Sequence, residues 1–246
     1  MKKIIMTLLF ASTFFVACDD IDTANVSQLT NYPIITVTGD NPIYVPLGGT
    51  YTDPGAVALE GTEEIQTTQT YLGMYRGDKT INTNKADQYT ETYTAVNKDG
   101  FSASSTRTVI VYQNGDLVNS IEGLYTCTIS RNGITPSDKY KNIKYVFIWK
   151  NTDGTYEVSD AFGGWYQYGR GLGVDYITPG GTINAIDIPT NQFTFPGNPL
   201  TNNGFGGVAD MIDMTVNPST KQIVFTTNWN VGTAYTFVAT LTQVQP

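Results

Sequence analysis

The chain has 246 residues, 14 Lys and Arg against 22 Asp and Glu, a net charge of −8 and no histidine. This acidic balance argues against nucleic acid as a partner and against electrostatic attachment to anionic lipid headgroups. Without histidine the chain lacks the commonest general base, the commonest zinc ligand and every Ser-His or Cys-His catalytic pair. We therefore expect no metal and no cofactor. The many Gly, Tyr, Thr and Asn residues favour an all-β secreted protein.

The chain begins with a basic and then an apolar stretch. Lys2 and Lys3 precede the apolar run Ile4–Val16, which is too short to cross a bilayer. This pattern predicts a secretory signal peptide over residues 1–17. The following Phe15-Val16-Ala17-Cys18 resembles the lipobox of bacterial lipoproteins. The resemblance implies that Cys18 becomes the mature N-terminus, carries acyl chains and anchors the protein in the outer membrane. The alternative is an ordinary signal peptide with a chance cysteine.

Two acidic residues, Asp19 and Asp20, follow the cysteine directly. They resemble the acidic export signal of surface-exposed lipoproteins in Bacteroidota, which implies exposure at the cell surface. A periplasm-facing leaflet is the alternative location. Residues 18–32 are polar and show no clear period, so we interpret them as a lipidated tether.

Residues 33–113 carry dense strand signals and no helical period. The segment from Gln88 to Asn97 alternates, with Tyr89, Glu91, Tyr93 and Ala95 on one face, and Asn97-Lys98-Asp99-Gly100 is a strong hairpin turn. About seven short strands in about 80 residues suggest a β-sandwich.

Three stretches in this region resemble a bacterial immunoglobulin-like domain common in surface lipoproteins and adhesins. They are Tyr51-Thr52-Asp53-Pro54-Gly55-Ala56, the spaced pair Tyr89 and Tyr93, and the closing Arg107-Thr108-Val109. The resemblance implies a spacer domain in which Asp53-Pro54-Gly55 is a turn and not a catalytic acid.

The second domain is predicted over residues 117–246, as a closed or nearly closed antiparallel barrel or a two-sheet sandwich without a convincing helix. Cys127, the one cysteine other than Cys18, is interpreted as a buried thiol in a strand. The predicted strands cover residues 123–131, 144–150, 156–160, 165–170, 173–177, 182–188, 192–195, 212–216, 222–228 and 233–244.

The stretch Ile121-Glu122-Gly123-Leu124-Tyr125 resembles the first strand of lipocalin-like domains in similar lipoproteins. With the lipobox and the immunoglobulin-like region, the chain resembles accessory lipoproteins of Sus-type uptake systems in Bacteroidota. The resemblance implies a glycan ligand, or a peptide in some systems. It also implies that the partners are a Sus-type transporter and its lid lipoprotein.

The main candidate binding stretch runs from Asp160 to Arg170. Trp165, Tyr166 and Tyr168 offer flat apolar faces on which sugar rings stack, and Asp160 and Arg170 offer polar groups for hydroxyls. Glycines 163 and 164 admit a close approach of backbone or ligand. If the stretch is a strand, Tyr166, Tyr168 and Arg170 share one face while Trp165 faces the other way. The alternative is that these aromatic residues are core.

Two further features complete the candidates. Trp229, at a strand end, and Tyr176 are a second aromatic group that either binds a ligand or packs structurally. Residues 198–207 form a glycine-rich loop with neither the lysine nor the helix of a phosphate cradle.

Catalysis is the least favoured class. The many carboxylates of the second domain show no marked pair for glycoside hydrolysis, and Asp210 with Asp213 lacks the spacing of a calcium loop. The hypotheses are therefore non-catalytic glycan capture, a structural accessory of the transporter, and peptide capture.

Overall fold

The computed structural model describes residues 30–134 and 136–246. The predicted signal peptide, Cys18, Asp19, Asp20 and most of the tether lie outside the described residues. Within them the protein is nearly all β, which confirms the predicted fold class. The described part contains no helix that is both long and apolar enough to span a bilayer.

The N-terminal strands form two small sheets that pack together as an immunoglobulin-like sandwich. One sheet has the order β1-β3-β4 and the other the order β2-β7-β6-β5, in which only the β2-β7 pair is parallel. Their bounds are Pro33–Val37 (β1), Ile43–Pro46 (β2), Ala56–Glu60 (β3), Glu63–Ile65 (β4), Thr67–Gly73 (β5), Asp87–Val96 (β6) and Ser102–Tyr112 (β7).

Strand β6 follows its sequence pattern closely. Every second residue from Tyr89 to Ala95 is buried, and the threonines between them are half-buried. The predicted turn joins β6 to β7, where the Gly100 N–H donates to the Asn97 carbonyl at 3.0 Å. Alternation and turn chemistry together therefore determine the register of this hairpin.

The sandwich encloses a charged cluster around Arg107. The Arg107 Nη1 lies 2.5 Å from Asp53 Oδ1 and 3.3 Å from Glu91 Oε2. The Tyr93 hydroxyl donates to Asp53 at 2.5 Å, and the Tyr51 hydroxyl donates to Glu91 at 2.6 Å. Asp53 also accepts from the Gly55 N–H at 2.7 Å, so the predicted turn is present and additionally supplies an internal ion-pair partner.

The C-terminal strands form one curled antiparallel sheet of nine strands and not a two-sheet sandwich. Its order is β12-β11-β10-β9-β8-β16-β15-β14-β13, and both edge strands have only three residues. Such short edges limit pairing with other chains. The bounds are Gly123–Arg131 (β8), Ile143–Lys150 (β9), Tyr156–Val158 (β10), Gly181–Asp187 (β11), Gln192–Thr194 (β12), Leu200–Asn202 (β13), Gly206–Asn217 (β14), Gln222–Asn230 (β15) and Ala234–Gln243 (β16).

Two predicted strands of this domain were wrong. Residues Trp165–Gly169 form a π-helix, in which the Arg170 N–H donates to the Trp165 carbonyl at 3.0 Å. Residues Val174–Tyr176 form a 3₁₀ turn. Conversely, β13 and the beginning of β14 lie in the stretch predicted as a glycine-rich loop, because the turn at residues 203–205 closes a tight hairpin there.

The π-helix begins where it does because two glycines precede it. Gly163 has φ +63° and Gly164 has φ +89°, a region that side chains rarely occupy. A Cβ on Gly163 would lie 2.8 Å from the buried Cys127 Sγ. The close approach predicted at these glycines is therefore made by backbone against the core, and the predicted buried thiol is confirmed.

Strand β9 joins the two halves of the molecule. Val146 and Ile148 face the C-terminal core, while Tyr145, Phe147 and Trp149 face a second apolar cluster that includes side chains of the immunoglobulin-like domain. Burial on both faces explains the unbroken apolar run in this strand.

Candidate functional site

The topology brings four connections to one end of the curled sheet, which we call the loop end. They are the connections between β8 and β9, β10 and β11, β13 and β14, and β15 and β16. Each follows a strand that runs toward this end and precedes one that runs away from it. Because loops on a rigid scaffold are where binding residues concentrate, the loop end is the candidate functional site.

A column of aromatic rings and cations crosses the loop end. The Trp165 and Tyr140 rings are stacked, with centroids 3.7 Å apart and planes 2° from parallel. The Arg131 guanidinium carbon lies 4.9 Å from the Trp165 ring centroid and 4.9 Å from that of Tyr235. The Lys139 ammonium lies 4.9 Å from the Tyr140 centroid. Each ring therefore has a neighbour, and Trp165 is not a free stacking platform.

Tyr166 and Trp229 lie deeper in the same end. Both are buried, with ring centroids 5.8 Å apart, and the Trp229 Nε1–H donates to the Gly206 carbonyl at 3.0 Å. Burial raises the pKa of Tyr166 against the opposing effect of nearby Arg131. Phe205, from the β13–β14 hairpin, lies over Tyr166 with centroids 5.0 Å apart.

Tyr176 and Arg170 occupy the outer part of the loop end. Tyr176 is half-buried, and its ring centroid is 5.0 Å from that of Phe205. Arg170 follows the π-helix and is exposed. Tyr176, Tyr166 and Trp229 thus form one aromatic cluster with Phe205. The sequence analysis does not predict Phe205 as a site residue.

Tyr168 points to the other domain. Its hydroxyl lies 3.3 Å from the Tyr75 hydroxyl and 3.4 Å from the Met74 sulfur, and the Gln167 amide contacts the same methionine. Burial raises the pKa of Tyr168. Because the segment is a π-helix, the predicted face of Tyr166, Tyr168 and Arg170 does not form. The Tyr168 hydroxyl reaches the immunoglobulin-like domain, whereas the Tyr166 ring packs against Phe162 and Trp229.

Asp160 is a buried hydrogen-bond acceptor and is not exposed to a ligand. Its carboxylate accepts the backbone N–H groups of Phe162 at 3.0 Å, Gly164 at 2.8 Å and Thr178 at 2.9 Å. Burial raises its pKa to about 6, although these three bonds act in the opposite direction. Asp160 therefore holds the turn before the π-helix against the segment that leads into β11.

Asp160→Asn is expected to change how stability depends on pH. The folded-state pKa of about 6 exceeds the ordinary value of about 3.9, so the folded chain holds a proton that the unfolded chain has lost between these pH values. The contribution of Asp160 is then fully present below about pH 4 and is lost as pH rises through about 6. The difference in melting temperature, wild type minus variant, should decrease as the pH rises from 4 to 7. A flat difference would contradict the assignment.

A pocket of about 280 Å³ opens beside the column. Its described lining residues are Arg131, Ile134, Pro136, Ser137, Lys139, Tyr140 and Trp165, and none of these carries a carboxylate. Sequence reasoning missed Arg131, Tyr140 and Lys139. Arg131 ends an alternating strand, but no pattern in the sequence places Tyr140 against Trp165.

No group of three or more Asp, Glu or Cys side chains suited to a metal ion occurs within residues 30–134 and 136–246. Asp210 and Asp213 lie on β14, which pairs with β15 through a register shift between Met211 and Asp213. The structure thus offers no assembled calcium site in the part of the chain that it describes.

Comparisons with known proteins identify both domains. A family model described as the Ig-like domain of bacterial surface proteins matches residues 35–111, and a model of a C-terminal domain matches residues 114–243, more than half of the chain. The chain belongs to the family that this C-terminal domain model describes. No curated protein matches the sequence.

The family has a solved structural relative. The crystal structure of the lipoprotein BT2262 from Bacteroides thetaiotaomicron matches with a TM-score of 0.60 and 24% sequence identity, covering 85% of this chain and 99% of that chain. At this identity the likeness shows the shared fold. The descriptions of the two matching family models name no catalytic activity.

Proposed function

We propose that the protein is a non-catalytic accessory, lipid-anchored at the outer-membrane surface, that captures a nutrient glycan at the loop end for a Sus-type transporter. The observation that carries this proposal is the pocket beside Arg131, in which aromatic and cationic groups from three connected elements converge. Capture requires no reaction, and the lining of this pocket supplies neither a carboxylate pair nor a nucleophile activated by a base.

The arrangement of the domains supports a spacer role for the immunoglobulin-like domain. The first described residues lie beside the β6–β7 turn of the sandwich, where the ring centroids of Tyr32 and Phe101 are 5.0 Å apart. The chain leaves at the opposite end of β7, whose 11 residues span about 35 Å. A lipid on Cys18 would then hold the C-terminal domain beyond the sandwich, away from the bilayer.

Anchoring is tested by Cys18→Ser. We expect the wild type to sediment with outer membranes and to be cleaved by protease added to intact cells. The variant should lose membrane attachment, because acyl chains supply the anchor and the acidic chain has no electrostatic hold on the bilayer. Membrane association that survives Cys18→Ser would contradict the lipid anchor. Protection of the wild type from external protease would indicate a periplasm-facing leaflet.

Ligand capture is tested by isothermal titration. The mature chain carrying Cys18→Ser is titrated with neutral polysaccharides, acidic polysaccharides and mixed peptides. Saturable binding of a glycan supports the proposal. Binding of peptides alone favours a peptide accessory, for which β5, an exposed edge strand of the sandwich, offers strand addition.

A structural accessory of the transporter complex is the second candidate. Trp165, Tyr166 and Trp229 are buried, and Tyr168 and Tyr176 pack against the core. The loop end also carries exposed apolar side chains from four connections, which suit a protein contact. These are Ile134, Leu172, Phe205 and Val231. No heat with any ligand, together with co-purification of the transporter from membranes, would support this candidate over capture.

A further inference from the structure

We infer that the pocket beside Arg131 is an oxyanion site, which takes the carboxylate or sulfate group of an acidic glycan. The inference rests on the proposed function of glycan capture and specifies the class of glycan. It differs from a stacking site, because recognition comes from charge-assisted hydrogen bonds to the acid group.

The guanidinium of Arg131 is pre-organised for this role. Its carbon lies over both the Trp165 and the Tyr235 ring, 4.9 Å from each centroid. Contact with two rings restricts the rotation of the planar group, which lowers the entropy lost when an oxyanion binds to it. Among the described residues, Arg131 forms no ion pair with a carboxylate.

The second cation of the pocket is also without an acidic partner in the described part of the chain. The Lys139 ammonium contacts the Tyr140 ring, whereas the neighbouring Lys141 is paired with Asp138 at 3.0 Å. The Ser137 hydroxyl adds a neutral donor to the lining. The described lining of the pocket thus holds two cations and no carboxylate, on a chain with a net charge of −8, and forms a local positive region that attracts an anion.

The position of the pocket favours a sugar over an extended peptide. Arg131 ends β8, which lies inside the sheet between β9 and β16, so no free strand edge borders it for main-chain pairing. The volume of about 280 Å³ is below the range of pockets for drug-sized molecules. A single ring with one acid group is the unit that suits this size.

The faces of the column explain why charge, and not stacking, provides the recognition. Tyr140 and Trp165 cover each other, and Lys139 and Arg131 lie against the same two rings. A neutral sugar ring finds no uncovered face of Trp165 on which to stack. We therefore expect the site to discriminate strongly between acidic and neutral forms of one glycan.

The test compares oligogalacturonides with their methyl esters, which have the same rings without the charge. The mature chain carrying Cys18→Ser is titrated with each, and with chondroitin sulfate to distinguish sulfate from carboxylate. We expect saturable binding of at least one acidic glycan and at least tenfold weaker binding of the methyl ester. Arg131→Gln should weaken acidic binding about tenfold or more, since it removes the charged donor.

Three controls keep the result interpretable. Lys139 is exposed, so Lys139→Gln should weaken binding of the acidic glycan about threefold without unfolding the chain. Lys150→Gln, at an exposed lysine on the opposite end of β9, should leave binding unchanged. Circular dichroism establishes that each variant is folded, and Arg131→Lys retains the charge if Arg131→Gln unfolds.

The outcomes separate the inference from the proposed function. Equal binding of acid and methyl ester, or acidic binding that Arg131→Gln and Lys139→Gln leave unchanged, would overturn the oxyanion site and leave glycan capture standing. Tighter binding of poly-glutamate than of any acidic glycan would also overturn it, in favour of an acidic protein partner. No binding of any neutral or acidic glycan would overturn both.

Discussion

Arg107→Met is expected to lower the free energy of unfolding by about 3–5 kcal/mol, because it leaves a buried carboxylate without its cation. Arg107 and Glu91 are both fully buried, and the Arg107 Nη1 bridges Glu91 and Asp53. Removing the guanidinium also removes the donor to the Tyr51 and Tyr93 hydroxyls. Urea denaturation followed by far-UV circular dichroism measures the loss.

The matched control is Arg170→Met, the same substitution at an exposed arginine. It should change the free energy of unfolding by no more than about 0.5 kcal/mol. A loss below about 1 kcal/mol at Arg107 would show that the cluster is replaceable by apolar packing, as some buried ion pairs are.

The cluster around Arg107 could be predicted only in part from the sequence of the immunoglobulin-like domain. Alternation in β6 predicts that Tyr89, Glu91 and Tyr93 share a face, and the resemblance to an immunoglobulin-like domain implies the Asp53-Pro54-Gly55 turn. The resemblance includes Arg107 only as part of a closing motif. Arg107 and Glu91 are cross-strand partners in the β6–β7 hairpin, whereas Tyr51 and Asp53 lie 40 positions before Glu91 and Tyr93, a contact that a single sequence does not reveal.

The candidate site was harder to predict because its local structure opposes its composition. Aromatic residues from Trp165 to Tyr168 have high strand propensity, and a strand was predicted there. The positive φ angles of Gly163 and Gly164, together with the bonds to Asp160, place a π-helix instead. Side chains that alternate in a strand point in other directions in a helical turn. Tyr166, Tyr168 and Arg170 therefore do not share the face that the strand pattern predicts.

Phe147→Ala is expected to uncouple the two domains and to cost about 3–5 kcal/mol. Phe147 is buried in the apolar cluster that joins them, with its ring centroid 5.7 Å from those of Tyr75 and Trp149. Arg76, from the immunoglobulin-like domain, lies 4.6 Å from the Trp149 centroid, and the Trp149 Nε1–H donates to the Ala86 carbonyl at 2.8 Å. A cavity at Phe147 loosens all of these contacts.

The chain supplies its own reporter for this uncoupling. Trp165 and Trp229 lie in the C-terminal core and Trp149 lies at the interface, so the fluorescence of the three tryptophans follows mainly the C-terminal domain. Far-UV circular dichroism follows the strands of both domains. In the wild type the two unfolding curves should coincide in urea, because the buried interface makes unfolding cooperative.

In Phe147→Ala the two curves should separate, with a circular-dichroism transition that the fluorescence shows only through Trp149. Phe101→Ala, at an exposed phenylalanine near the chain entry of the sandwich, should leave the curves coincident. Separate transitions already in the wild type would show that the interface does not couple the domains. The C-terminal domain would then be free to reorient relative to the immunoglobulin-like domain. The loop end would no longer have a fixed position beyond the sandwich, and capture at a distance from the membrane depends on that position.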